Sequence, residues 1–483
     1  MPYQILTLLI FTFGTAVIGL FIPIRYGNRF ASISSLLVFF YSLYLFITFP
    51  ISADPQYVVD CSWIQSLGIH FKVGMDGISM LLVMLTTFLT PLIIFSIRKS
   101  EPRPRAFYSL LLFMEMALIG VFVSMDGFLF YIFWEIALIP IYFICLLWGG
   151  KDRVRITLKF FIYTITGSLF MLVALIYLYL HTSGQHSFDI QELYAAGRSL
   201  SGHQQCILFW FFFLAFGIKM PIFPLHTWQP DTYTDAPTQG TMMLSGIMLK
   251  MGIYGVIRWM IPMLPLGIAQ NANYVLWLSV AGVIYAGIIA FTQKDMKRLI
   301  AYSSISHVGL IAAGIFAFNA QGLQGGVIQM LSHGVNVVGL FFIVDIIQSR
   351  TGTRDIASLG GIRLKAPFLA TVFAIIMLGA VALPLTDGFP GEFLLISGIF
   401  QLHNIMGAVA GLTIIIGAVY MLRMYQRTML NEPSLETDKF TDLTAGEKAV
   451  LIPIVLMVIL IGVYPDMFTK VSELAITKLI SGI

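Results

Sequence analysis

The chain has 483 residues, of which 58% are hydrophobic and only 11% charged, with a net charge of +4 and a mean hydropathy of +0.88. Soluble domains carry about 25% charged residues, so this composition excludes a soluble globular protein, and nothing in it suggests nucleic-acid binding. At about 20 residues per crossing the length allows about fourteen helices, and the absence of strand-barrel alternation makes the predicted fold an all-α polytopic membrane protein.

Apolar segments predict spans at 3–22, 31–50, 76–97, 106–124, 127–148, 154–181, 205–229, 235–262, 273–292, 298–318, 321–349, 366–402, 405–426 and 448–468. The first lacks a basic n-region and reads as a span, not a cleaved signal. The seventh meets Pro221 and Pro224, and the twelfth is interrupted by Pro384, Gly388, Pro390 and Gly391. A regular helix does not hold such a cluster, so each is expected to be broken, the twelfth into two half-helices. Cys61, Cys145 and Cys206 show no metal or redox spacing. Cys61 and Cys206 fall on one side of the membrane, where a disulfide is open to them. The aromatic run from Phe209 to Phe213 is expected to face lipid and the interface.

Loop charge sets the orientation. Odd-numbered loops carry Arg25 and Arg29; Arg98, Lys99, Arg103 and Arg105; Lys151, Arg153 and Arg155; Lys294, Lys297 and Arg298; Arg350, Arg354, Arg363 and Lys365; and Arg423, Arg427, Lys439 and Lys448. Of the odd loops only the seventh lacks basic residues, and even-numbered loops carry little beyond Lys72 and Arg198. The positive-inside rule puts odd loops in the cytoplasm and both termini outside. The two broken spans lie five apart and therefore run in opposite directions, the mark of an inverted repeat. The expected division is 1–105 with three spans and an outer loop, 106–262 and 263–430 as the two repeats (spans 4–8 and 9–13), and 431–483 with the last span and a short tail.

Charged residues inside apolar spans mark ion or proton handling, because each costs roughly 2.5–3.5 kcal/mol at mid-membrane. In chain order they are Glu115 in LLFMEMALIG, Glu135 in FYIFWEIALIPIYF, Lys219 before Pro221, Lys250 in SGIMLKMGIYG, His307, His333, and Glu392 just after the twelfth-span break. Glu135 is expected to pair with Lys219, whose charge then depends on the carboxylate nearby. Two unit charges about 7 Å apart interact by roughly 2–3 kcal/mol at an effective dielectric near 20. Lys250 has no acid within a helical turn, so its partner must come from another helix. Histidine relays protons near neutral pH, and Ser303, Ser304 and Ser306 are placed to hold water near His307. By the proposed repeat Glu392 takes in span twelve the place of Lys219 in span seven, with a helix N-cap as its plainer role. Glu115 and His226, the latter where span seven meets the cytoplasm, are secondary candidates. Asp126, Asp231 and Asp235 read as caps or surface residues.

Together FYIFWEIALIPIYF, LAFGIKMPIFPLHTWQPDTYTDAPT, IMLKMGIYGVIR, QKDMKRLIAYSSISHVG and PGEFLLISGIF resemble the antiporter-like subunits of respiratory complex I, the proton-translocating NADH:quinone oxidoreductase, over nearly the whole chain. The motifs are shared with Mrp-type cation/proton antiporters. The resemblance implies a hydrated axis of Glu135, Lys219, Lys250, His307, His333 and Glu392 in a bacterial cytoplasmic membrane. Glu392, where the N and L types carry lysine, and the short tail point to the M type. The family's HTWLPDAH reads HTWQPDTY here, with Gln229 and Tyr233 in place of leucine and a second histidine. No cofactor is expected in this chain: it has no dinucleotide fingerprint, iron–sulfur cysteine cluster or flavin motif, so NADH, FMN, Fe–S clusters and quinone belong to other subunits. The implied partners are other membrane subunits of the complex, with a homologous chain on either side, the lateral helix of one of them, and lipids. Alternatives are a subunit of an Mrp-type Na+/H+ antiporter and a non-pumping spacer.

Overall fold

The computed structural model describes residues 3–98 and 103–482; Lys99 of the basic third loop lies outside them. Among the described residues eleven helices are long and apolar enough to cross a membrane. Gln4–Gly19 and two interrupted helix pairs complete the expected set. In lipid each span must satisfy its own backbone groups, which is why apolar stretches of this length close into helices. Most boundaries fall close to those expected, but span two begins earlier, at Ile24, and span nine at Pro265.

Both breaks occur where expected. Span seven opens on a capping box between Ser201 and Gln204 and runs as Gly202–Lys219. Pro221 has no N–H to continue the ladder, and the chain turns before resuming at Gln229–Asp235. Span twelve consists of Pro367–Ala380 and Gly388–Leu402, joined through Ala382 and Leu385 with φ of 56° and 71°. Asp442 anchors its first half by accepting from Phe368 N and Leu369 N at 2.9 and 3.0 Å. Burial works to raise the Asp442 carboxyl, but the amides of Phe368, Leu443 and Leu369 outweigh it and hold it below the usual carboxylate range. Span eight carries two π-helical stretches, Leu244–Met248 and Val256–Met260.

The loops obey the expected two-sidedness. Lys72 of the second loop pairs with Asp189 of the sixth, and Lys478 near the C-terminus pairs with Asp54 of the second. On the other face Asp231 takes both Lys159 and Arg298 at 3.0 Å, Arg354 meets Asp295 at 3.0 Å and Arg350 meets Glu447 at 2.6 Å.

One expectation needs correction, that of the aromatic run, and three further features are added by the structure. The second loop forms a two-stranded antiparallel hairpin, β1 (Gln56–Ile64) and β2 (Ile69–Met75). The tail is an ordered helix, Asp466–Ser481, whose apolar side packs on spans three and eleven. Phe209, Phe212 and Phe213 are buried, because three-and-four spacing turns them toward neighbouring helices; of this run Trp210 is the most exposed, at 37%. Cys61 and Cys206 are both free: Cys61 is exposed in β1, whereas Cys206 bonds Gln270 and Asn271 of span nine at 2.6 and 3.2 Å.

Candidate functional site

Pro140 lacks the N–H that would meet the carbonyl of Ile136, and span five divides there into Gly127–Ile136 and Leu138–Trp148. Glu135 lies at that division, beside Ser168 and Tyr131. Lys219 closes the first half of span seven, where the proline-induced break leaves it buried at the end of a helix. Its Nζ stands 5.2 Å from the centre of the Trp134 ring. Among the described residues neither Glu135 Oε1 nor Lys219 Nζ has a hydrogen-bond partner. Among the described residues no hydrogen bond joins the two groups, so the direct Glu135–Lys219 contact expected from the sequence is not formed in this structure.

The first π-helical stretch of span eight sets the environment of Lys250. Widening the helix by one residue disturbs the regular ladder, and Lys250 Nζ donates to the Ser245 carbonyl at 2.7 Å. Its other contact is His333 Nδ1 at 2.9 Å. The partner does come from another helix, as expected, and is a histidine. Lys250 is 0% exposed, so snorkelling to the interface is ruled out.

His333 continues the line. Its Nε2 meets Ser304 Oγ at 3.0 Å, and its ring centre lies 6.4 Å from that of His307. His307 Nδ1 meets Glu392 Oε1 at 2.8 Å, and Gln329 Nε2 donates to the same oxygen at 3.2 Å. Lys250, His333, His307 and Glu392 thus form an ordered row. The serines do not gather round His307: Ser304 serves His333, Ser303 meets Tyr420 Oη at 2.9 Å and Ser306 donates to the Val283 carbonyl at 2.9 Å. Span ten presents them on different faces. Glu392 lies in the half-helix after its break, whereas Lys219 precedes its own. Their equivalence is therefore one of spans, not of positions, and Glu392 is committed to His307 and Gln329 instead of capping.

The secondary candidates stand apart. Both oxygens of Glu115 are buried without a partner among the described residues. His226 is buried within the span-seven turn, between the rings of Phe223 and Tyr285 at 5.7 and 5.3 Å, and so does not lie at the surface. Gln229, where the family motif departs, reaches Ser304 at 3.4 Å and thereby touches the histidine row. Gln329, Asn336 and Asp387 escaped the sequence reading, because buried amides and a break-region aspartate carry no motif.

A cavity of about 520 Å³ opens on the odd-loop face, lined among others by Arg103, Lys151, Asp235, Thr238, Lys297 and Asp345. From it Thr238 donates to Asp345 at 2.6 Å, Ser245 donates to the Thr241 carbonyl at 2.7 Å and Lys250 donates to the Ser245 carbonyl. Polar groups of span eight therefore lead from this face to the central lysine.

A family profile described as NADH:quinone oxidoreductase/Mrp antiporter, TM, matches residues 124–417. The NADH-quinone oxidoreductase subunit M of Rickettsia bellii (strain RML369-C) is 43% identical over 454 residues, covering 93% of this chain and 91% of that protein. The Rhodobacter capsulatus protein of the same description is 41% identical over 457 residues, with 92% and 89% covered. A chain in the structure of respiratory complex I from Thermus thermophilus with bound NADH superposes with a TM-score of 0.91 at 30% identity, covering 99% of each. A chain of the Mrp complex from Dietzia sp. DQ12-45-1b gives 0.87 at 18% identity, over 98% of this chain and 51% of that one, a likeness of fold.

Proposed function

Because this chain belongs to the NADH:quinone oxidoreductase/Mrp antiporter family, on the side of its M-type complex I subunits, we propose that Glu135, Lys219, Lys250, His333, His307 and Glu392 are the groups through which it conducts protons. The observation that carries this is the buried row from Lys250 through both histidines to Glu392, with contacts of 2.9 and 2.8 Å at its ends. A spacer gains nothing from burying such groups. The Mrp reading has fold likeness at 18% identity behind it, whereas complex I relatives match at more than twice that identity.

In this mechanism quinone reduction elsewhere in the complex perturbs the axis electrostatically. When Glu135 and Lys219 separate further, the lysine loses the charge that favours its protonated form, and its proton moves toward Lys250. Lys250 passes a proton to His333 Nδ1 directly. A cavity of about 20 Å³ lined by His307 and His333 has room for about one water to bridge the rings, and His307 hands on to Glu392. Closing the Glu135–Lys219 pair resets the state, with uptake from the cytoplasm and release outside. The redox centres stay in other subunits of the enzyme. Glu135→Ala or Lys219→Ala is expected to abolish NADH-driven acidification by the assembled complex in liposomes. Full pumping stoichiometry in either variant would sink the assignment.

Neighbouring subunits are supported by the surface of the span-twelve break. Leu383 and Leu385 are 44% and 70% exposed there, and irregular backbone at membrane depth is tolerated only against protein or water. Homologous chains on either side, one with a lateral helix, together with lipids, would cover it. For orientation, Cys61 is exposed on the hairpin of the even-loop face. An impermeant maleimide added to intact cells is expected to label it without reductant; labelling only after lysis would reverse the topology.

A further inference from the structure

Span eleven, Ala320–Thr351, is unbroken and presents Gln329, His333 and Asn336 at i, i+4 and i+7, one face over about 10 Å of its axis. Gln329 donates to Glu392 Oε1 at 3.2 Å, and Asn336 donates to Asp387 Oδ1 at 2.9 Å. The stripe therefore holds two carboxyl groups. Asp387 is 0% exposed. It directly precedes the half-helix Gly388–Leu402 without forming a regular capping hydrogen bond to it; its carboxyl lies beside the Gly388 amide and is held by Asn336 of span eleven. Its backbone carbonyl accepts from Ser332 Oγ at 2.6 Å, which ties the residue to span eleven.

Both acids lie one hydrogen bond from the cavity of about 20 Å³, Glu392 through His307 and Gln329, and Asp387 through Asn336. Asp387 Oδ2, Glu392 Oε2, His307 Nε2, Gln329 Oε1 and Asn336 Oδ1 all lack partners among the described residues. A Cβ at Gly379 would stand 2.7 Å from both Asn336 Oδ1 and Asp387 Oδ1, so glycine keeps this approach open. No cation pairs with Asp387 among the described residues. A purely structural turn would be served better by asparagine, which carries no charge to bury.

We infer that Asp387 is a second proton-carrying carboxyl at the end of the axis, exchanging its proton with Glu392 across the shared cavity. The step balances without a co-reactant: protonated Glu392 gives its proton to His307 Nδ1, His307 releases one from Nε2 to a water in the cavity, the proton passes from the Gly379 wall of the cavity to the Asp387 carboxylate, and Glu392 is left ionised with Asp387 neutral. The inference rests on the proton-axis function proposed above.

The test is NADH-driven acidification by the whole complex in liposomes, with quinone reduction and assembly measured alongside. Asp387→Asn keeps the shape and still accepts from Asn336, so a structural role would survive it. The expected result is an about three- to tenfold loss of acidification, with Asp387→Glu recovering more than half of it. Wild-type acidification in Asp387→Asn overturns the inference. Glu392→Gln is run in parallel: if it is defective while Asp387→Asn is not, only the role of Asp387 has failed, and if both pump normally the axis itself has failed. Should Asp387→Asn not assemble, Asn336→Ser decides, with about two- to fivefold slowing expected and wild-type acidification overturning the role.

Discussion

The complex carrying Lys250→Ala is expected to lose at least about tenfold in NADH-driven acidification, with quinone reduction falling in step while the complex stays assembled. Lys250 begins the row, and its two contacts, to Ser245 and His333, are both short. Alanine leaves the Ser245 carbonyl and His333 Nδ1 without this partner, at a cost of about 1–3 kcal/mol each, which a span buried on all sides can absorb only in part. Lys250→Arg separates charge from proton transfer. Arginine keeps a positive charge but does not release a proton under ordinary conditions, so it is expected to pump no better than alanine. Pumping restored by arginine would mean that Lys250 acts as a fixed charge. If neither variant changes acidification, protons take another way and sodium-dependent transport becomes the next measurement.

Glu392→Gln is expected to have an effect of similar size, an about tenfold or greater loss of acidification. Glutamine preserves volume and can still accept from Gln329, but it cannot take up a proton in the proposed transfer from His307, whose Nδ1 lies 2.8 Å from Glu392. Glu392→Asp, a shorter acid, is expected to retain part of the activity because a water can span the added distance in the adjoining cavity. Equal acidification by the glutamine variant and the native complex would remove Glu392 from the path.

Much of the site was legible in the sequence because a charge inside an apolar span has few ordinary explanations. Glu135, Lys219, Lys250 and Glu392 announce themselves in that way, and the prolines of spans seven and twelve mark both breaks. Histidine is less telling, since it packs in cores as readily as it relays protons, and His307 and His333 gained weight only in company with the charges. Gln329, Asn336 and Asp387 carried no signal: amides are common in helices, and an aspartate before a half-helix looks like a cap until its side chain is seen turned to Asn336. The Phe209–Phe213 run misled because hydrophobicity serves lipid and protein contacts alike.

The sequence by itself determined the membrane class, the number of crossings, the two breaks, the two-sided loop charge and the buried titratable groups. These are local properties, set by the length of apolar runs, by proline's missing N–H and by the cost of charge in lipid. Only the tertiary structure decided who meets whom. It paired Lys250 with His333 and His307 with Glu392, left Glu135 and Lys219 without a hydrogen bond between them, kept Cys61 from Cys206 and turned Ser304 to His333. Such pairings depend on the rotation and depth of helices packed against one another. In lipid those are chosen by side-chain fit and interhelical hydrogen bonds, which no stretch of one helix contains.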